Sequence, residues 1–423
     1  MNRQQIHKTF SIIGWIACSL LALVTIAAGY GGMVDPAKSA FPSMLAMTFP
    51  LWVILTVAVL LFNLFVSRRK AILQGLTLVF CLSPIFANFP MNFHRSTLTP
   101  AEEARTFTLL SFNVFGLCDY NSNNGDFGNE YLVDEKNRNE ANPTLRWIME
   151  QDADIVYAQE MYIDPGWEYR VFTRPSYDSL CTQYPYRIPQ YGNWILSKFP
   201  LYPVKLWQPD NLPGMFNAAI AEIQGHRTLL VSVHMQSIGL NASDKELYRE
   251  ITSGDGNRKT LREAKTKLYD KLSSAFLARV QQARVLRHQI DSIGIENVIV
   301  AGDFNDIPGC AALRVLSKDD FMNAFTQAGT WPTITYHGSR FYFHIDHIVY
   351  RGEMNAIDFK RFSFNRSDHY PVMARFLWSP IAEKVDRNRK GIDLINRQTT
   401  YRRACLIINV TDTMYYFHDL HIY

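Results

Sequence analysis

The sequence predicts a layered α/β domain carried behind a membrane anchor of three transmembrane helices. Three observations predict it: three long uncharged stretches in the first 93 residues, short β-rich runs alternating with turns and helical patterns after Arg105, and polar side chains gathered at the ends of those runs. The 423 residues, 48% hydrophobic and 19% charged, allow one large domain and a further segment. Nearly all the apolar excess lies in those first 93 residues, which argues against a fully soluble protein. A net charge of +4 does not mark a nucleic-acid protein by bulk charge. Six cysteines without a Cys-x-x-Cys pair make neither a disulfide scaffold nor a zinc site.

The anchor is expected over residues 1–95, with spans near 10–30, 45–66 and 71–90. Each stretch reaches the roughly 20 apolar residues that cross a hydrocarbon core, and only helices satisfy their own backbone there. Pro84 either kinks the third helix or marks its end. Arg3 and Lys8 precede the first span, and Arg68, Arg69 and Lys70 fill the loop before the third. Lys38, offset by Asp35, is the single basic residue between the first two spans. The positive-inside rule then puts the N-terminus in the cytoplasm and the rest outside a multi-pass plasma (inner) membrane. A cleaved signal peptide in place of the first span leaves the side of the domain unchanged.

The domain itself is expected over 105–378. FTLLSFNVF (107–115), DIVYAQE (154–160), WILSKFPL (194–201), FNAAIAEI (216–223), RTLLVSVHM (227–235), NVIVAGDF (297–304), FHIDHIVY (343–350) and YPVMARFLW (370–378) read as strands. Gln224-Gly225-His226 reads as a hairpin turn between two of them. Helices are expected at PTLRWIMEQ (143–151) and over 258–293, where Tyr269, Leu272, Phe276, Val280 and Ala283 fall on one face. Such strand pairs mixed with helices give sheets covered by helices. Polar insertions at 119–142 and from 239 to 258 interrupt the core, and the basic, then aromatic tail 381–423 reads as a poorly ordered extension. Cys118, Cys181, Cys310 and Cys405 would face an oxidising compartment in this topology, but their spacing predicts no pairing.

Asn113, Gln159-Glu160 and His234 end three of the runs, and Asp303 and Asn305 follow a fourth. Asp346 and His347 lie in FHIDHIVY, and Asp368-His369 precede the last strand. Layered α/β proteins place their sites at strand carboxyl ends. The inventory is carboxylates, amides and imidazoles, with no Ser or Cys nucleophile in an elbow. Hard oxygen donors suit Mg²⁺ or Mn²⁺ shared with a phosphate, while imidazoles bind phosphate oxygens and move protons. The combination favours attack of water on a phosphate ester.

SFNVFGL, YAQE, SVHMQS, AGDFNDIPG, HIDHIVY and SDHYPV, in this order and spacing, resemble the endonuclease/exonuclease/phosphatase (deoxyribonuclease-I-like) family over about 105–378. The three-span anchor resembles that of membrane-bound bacterial members. The resemblance implies a four-layer sandwich, two mixed sheets face to face with helices outside. It implies Glu160 as the main Mg²⁺ (or Mn²⁺) ligand, with Asn113 beside it and Asp368 nearby. It further implies that Asp303 orients or deprotonates the attacking water, that Asn305 binds a phosphate oxygen, and that His234 stabilises the phosphorane or assists the leaving group. Asp346 or Asp368 would hold a histidine, and His369 would act as base or phosphate ligand. FHIDHI departs from the family pattern around Asp346, so His344 and His347 read as structural. Ser232-Val233 stands where many members have Asn-Thr.

The function expected is a membrane-anchored, metal-dependent hydrolase of phosphodiester bonds, its substrate nucleic acid or phospholipid. A catalytically inactive domain binding phosphorylated ligands is the alternative. Basic residues over 258–288 (among them Arg258, Lys271, Arg279, Arg284 and Arg287) fit a rail for nucleic acid, a contact with anionic headgroups or a solvated helix face. Trp194, Tyr184 and Tyr186 fit base stacking or the core.

Overall fold

The computed structural model describes residues 3–93, 97–118, 120, 142–162, 174–190, 192–208, 215–239, 258–318, 320–338 and 341–380. The chain divides into two compact units, Met1–Leu377 and Trp378–Tyr423. The expected tail with Cys405, and most of both polar insertions, lie outside the described residues.

The N-terminal part is helical: α1 (Arg3–Gly29), α2 (Phe41–Met47), α3 (Phe49–Val66), α4 (Arg68–Phe80) and α5 (Leu82–Asn88). Two helices are long and apolar enough to cross a membrane, Gln5–Gly29 and Phe49–Val66, and a third span exists if the α4–α5 pair counts as one. That pair bends by 65°. Pro84 has no N–H to give the Phe80 carbonyl one turn back, and the Tyr30 hydroxyl donates to that carbonyl instead, at 2.6 Å. Phe10, Ile13 and Ile16 on α1 and Phe62 and Phe65 on α3 stand exposed, a surface suited to lipid rather than water. Between the helices an apolar cluster of Ala28, Phe49, Val53 and Cys81 is joined by polar contacts. The Thr25 and Thr56 hydroxyls meet at 2.8 Å, and Gln74 Nε2 donates to the Cys18 carbonyl at 2.9 Å. Interhelical hydrogen bonds of this kind hold helices together where apolar burial gives no preference.

A capped turn, α6 (Pro100–Glu103), leads into two six-stranded mixed sheets. The first contains β1 (Thr106–Asn113), β2 (Ile155–Met161), β3 (Tyr186–Gln190), β4 (Gly192–Ser197), β11 (Met354–Arg361) and β12 (Val372–Trp378), in the order β11-β12-β1-β2-β4-β3. The second contains β5 (Leu201–Val204), β6 (Met215–Ile223), β7 (His226–His234), β8 (Asn297–Asp303), β9 (Met322–Asn323) and β10 (Asp346–Arg351), in the order β5-β6-β7-β8-β10-β9. Each sheet has one parallel pair at its centre, β1 with β2 and β7 with β8. Parallel neighbours need a crossover. Helix α7 (Pro143–Gln151) lies in the first, and the 36-residue α9 (Arg258–Ile293) in the second.

The sheets face each other through apolar side chains and a polar seam near the strand ends. Gln159 Nε2 donates to Ser232 Oγ at 3.1 Å, and Ser232 Oγ donates to Asn193 Oδ1 at 2.6 Å. Outside the first sheet, α7 and α8 (Arg174–Gln183) cover a core of Leu110, Phe112, Leu145, Val156 and Leu180. Outside the second, α9 and α10 (Ala311–Ser317) complete the layers, while the short α11 (Ala324–Ala328) packs against β10 and β11. The expected four-layer sandwich is the observed fold.

Several boundaries differ from expectation, each for a local reason. The run 194–201 is two strands because the chain leaves the first sheet at Ser197 and enters the second at Leu201, turning at Phe199-Pro200. β3, β9 and β11 carry no long apolar run: β3 holds Pro189 at a sheet edge, and β11, an edge strand, alternates with Asp358, Lys360 and Arg361. On α9, Phe276, Val280, Ala283, Leu286 and Ile290 are buried, but Tyr269 is exposed because the core ends below it. Trp194 and Tyr184 are core residues, which removes them from base stacking, while Tyr186 is exposed.

Candidate active site

The second sheet builds its half of the site by register alone. His234 on β7, Asp303 on β8 and Asp346 on β10 are direct partners across three neighbouring strands, so their side chains emerge in one row. Gly302 permits this close pairing: its φ is +145°, and a Cβ there would lie 1.9 Å from the Val233 carbonyl oxygen.

The first sheet builds its half by distortion. Asn113 pairs with Gln159 at the end of β1, and the ladder between β2 and β4 then slips between Gln159 and Met161. The residue left over is Glu160, whose φ is +54°. A bulge re-aims a side chain, and a non-glycine residue held in the left-handed region stores strain. Its carboxylate accepts from Asn113 Nδ2 at 3.0 Å, and its side chain is 24% exposed toward the cavity.

The two halves meet at Asp303. Asp303 Oδ2 accepts from Asn113 Nδ2 at 3.3 Å and Asn305 Nδ2 at 3.1 Å, and both His234 Nε2 and His369 Nε2 lie 3.6 Å from it. His234 Nε2 is also 3.7 Å from Glu160 Oε1. Asn305, at φ +52°, commits both amide hydrogens, one to Asp303 and one to the Met235 carbonyl at 3.0 Å. A phosphate contact through that nitrogen therefore requires giving one up.

Of the two carboxylates expected to hold a histidine, Asp346 does so: its Oδ2 lies 2.9 Å from His369 Nδ1. Thr335 Oγ1 accepts from the Asp346 backbone N–H at 3.0 Å. Ser367 Oγ donates to the Asn113 carbonyl at 2.7 Å and accepts from the His369 N–H at 3.0 Å, tying the loop before β12 to the end of β1. Burial by itself would lower the His369 imidazole, but Asp346 and Asp303 on either side hold it well above its ordinary value. Burial raises the Asp303 carboxyl, opposed by the imidazoles. Asp368, half-buried, is pushed up to about 6 by burial, with Glu160 and Asp303 adding to the rise against the His369 charge.

Tyr336 was not legible as a site residue. It sits between isolated bridges to Phe343 and His369, and its ring lies 4.9 Å from that of His369. Burial and the nearby Asp368 raise its phenol far above the ordinary range. His344 and His347 are buried, and burial lowers both imidazoles, that of His347 to about 4. Three of the basic residues on α9 are engaged: Arg279 is buried against Asp306 at 3.1 Å, Arg284 pairs with Asp35, and Arg287 holds Asp291 and Asp320. Cys18, Cys81, Cys118, Cys181 and Cys310 form no disulfide with one another.

The donor chemistry fits a divalent cation. Asp303, Asp346 and His369 offer ligand atoms within 4.8 Å of one another, among the described residues a possible metal site. There the Asp346–His369 hydrogen bond already occupies Nδ1. Glu160 and Asp368 offer carboxylate oxygens instead, while Asn113 turns its Nδ2 toward Glu160 and its Oδ1 to the Phe115 N–H; a cation beside Asp368 would oppose the rise that burial, with Glu160 and Asp303 adding, gives its carboxyl.

A sandwich whose two sheets bring carboxylates, amides and imidazoles together at their strand ends has a phosphoesterase fold with a buried Asp–Asp–His cluster. The chain belongs to the endonuclease/exonuclease/phosphatase family, whose model matches residues 110–369. A second model, described as a domain of unknown function (DUF8431), matches residues 7–88. No curated protein matches the sequence. Among solved structures, truncated Caenorhabditis elegans TDP2 is 15% identical, with 65% of this chain covered against 98% of that one and a TM-score of 0.40. An endonuclease/exonuclease/phosphatase from Bacteroides vulgatus is 14% identical (65% and 99% covered, TM-score 0.40). D. rerio TDP2 complexed with single strand DNA product is 14% identical (64% and 98%, TM-score 0.41).

Proposed function

We propose that the protein is a metal-dependent phosphodiesterase that uses activated water, with residues 1–95 as its membrane anchor, 105–378 as its catalytic domain and 381–423 as an extension. The observation that carries this reading is the convergence of Asn113, Glu160, His234, Asp303 and His369, from both sheets, on one cluster with donor–acceptor separations of 3.0 to 3.7 Å. Glu160, Asn113 and Asp368 would hold Mg²⁺ or Mn²⁺, which would supply positive charge to phosphoryl oxygens.

The chain's own groups do the rest. Asp303 orients the water and takes its proton, and Asn305 acts as the residue that positions Asp303. His369, kept in one orientation by Asp346, presents Nε2 to a phosphoryl oxygen. His234 Nε2 donates to charge developing on the phosphorane or on the leaving oxygen. Donors fixed in a buried site need no reorganisation as that charge appears. The basic residues Arg3, Lys8, Arg68, Arg69 and Lys70 support an orientation with the N-terminus in the cytoplasm and the domain outside it.

The test is hydrolysis of bis(p-nitrophenyl) phosphate by the full-length protein in detergent, with Mg²⁺ and with EDTA, beside Glu160→Gln titrated for Mn²⁺ affinity. Metal-dependent turnover, with Mn²⁺ binding lost in the variant, is expected. Mn²⁺ binding without turnover would instead favour an inactive domain that binds phosphorylated ligands.

A further inference from the structure

The catalytic cluster opens into a cavity of about 270 Å³ lined by two kinds of side chain. Glu160, His234, Asp303, Asp368 and His369 are the charged and polar part. Met47, Leu272, Phe276, Ile307, Phe341 and Phe343 are an apolar part. Such an apolar surface suits an acyl chain. Among the described residues, the lining's guanidinium, that of Arg279, is buried and spent on Asp306, so it is not offered to a polyanionic backbone.

Met47 is the telling residue, because it comes from the anchor. It ends α2, and the next residue, Thr48, is the N-cap of the apolar α3. Its neighbour Ala46 is buried in the core of the second sheet with Ile307 and Cys310. Earlier in the same connection, Gly32 lies so close to the loop after Asp303 and Asn305 that a Cβ would fall 2.0 Å from the Gly309 carbonyl oxygen. The apolar lining of the cavity thus includes a side chain from the place where the helices suited to lipid meet the domain. Exposed aromatics stand on the same side: Trp331, 65% exposed, packs edge-on against Phe93 just beyond α5, and Tyr342 borders the same shallow groove as Trp331. Trp and Tyr in such a position mark a membrane–water boundary.

Resting on the phosphodiesterase reading, we infer that the substrate is a phospholipid of the bilayer that holds the anchor. Its phosphate sits at Asp303 and His369, and the first part of an acyl chain lies against Met47, Phe276 and Phe343. A cavity below the roughly 300–1,000 Å³ of clefts that enclose drug-sized ligands admits the headgroup end of a lipid and leaves the distal chain in the membrane.

The test uses alkyl p-nitrophenyl phosphate diesters, from methyl through octyl to hexadecyl, with the full-length protein in bicelles. All share one leaving group and one readout. The expected result is kcat/KM rising about tenfold or more from methyl to octyl, as apolar contact accrues along the chain. Met47→Glu should lower the octyl-to-methyl ratio, as should the milder Met47→Ser. Turnover of the methyl ester with no dependence on chain length would overturn the inference and leave the phosphodiesterase reading standing. Faster cleavage of thymidine 5′-(p-nitrophenyl phosphate) than of the octyl ester would also overturn it, in favour of nucleic acid. No metal-dependent turnover of any ester would sink both.

Discussion

The two central crossovers, β1–α7–β2 and β7–α9–β8, are built alike and supply the site in opposite ways. In the second sheet the functional side chains are register partners on regular strands, His234 with Asp303 and Asp303 with Asp346. In the first, Glu160 reaches the cluster only through a slipped ladder and a φ of +54°. One half is aligned by the hydrogen-bond ladder that also stabilises the fold. The other is held against a local backbone preference, and the surrounding structure must impose it.

The contrast can be broken at several points. The largest effect is expected at the junction of the halves: Asp303→Asn should lower kcat about 10³-fold with little change in folding, measured by p-nitrophenolate release and thermal melting. Next is the ladder itself. Gly302→Ala puts a Cβ against the Val233 carbonyl and should cost roughly 2–4 kcal/mol, read from denaturant midpoints, whereas a loss below 1 kcal/mol would mean that the strands can separate cheaply.

Behind the row, burial holds the His347 imidazole at about 4 when folded, against 6.5 when free. Below about pH 6.5 the unfolded chain binds this proton and the folded chain does not, so its contribution to stability falls with acid down to the folded value. At pH 5 the loss is on the order of 2 kcal/mol. His347→Asn should therefore melt with a flatter dependence on pH than the wild type between pH 7 and 5. The smallest effect, on stability, tests the strained half: Glu160→Gly, a variant without its metal-facing carboxylate, should gain about 1 kcal/mol, read from denaturant midpoints, since glycine accepts the left-handed backbone freely. A destabilised Glu160→Gly would mean that the bulge costs nothing.

The same contrast explains what was legible. A polar residue closing an apolar strand is visible in sequence, so Asn113, His234 and Asp303 stand out, and the order of motifs carries Asp346, Asp368 and His369. Which carboxylate holds His369 depends on strand pairing, and only the structure assigns Asp346. Tyr336 lies outside any regular element, so no period marks it. Met47 could not be read at all: it sits in a stretch whose composition speaks only of membrane, and its place in the cavity depends on chain folded more than two hundred residues later. Edge strands β3 and β11 escaped because an edge needs only one buried face and tolerates proline or charge.

The packing of the segment between the first two apolar helices onto the loop around Gly309 also bears on how the molecule is made. Gly32, Asp35 and Ala46 emerge from the ribosome long before Arg284, Ile307 and Gly309, their eventual neighbours. The core of the second sheet therefore includes a segment synthesised well before the strands it packs against, and contacts so far apart in sequence form slowly in a chain free in solution. Tethering the nascent strands beside that segment shortens the search. A fragment begun after the last apolar helix would have to fold without its template and would carry an uncovered apolar notch where Ala46 belongs.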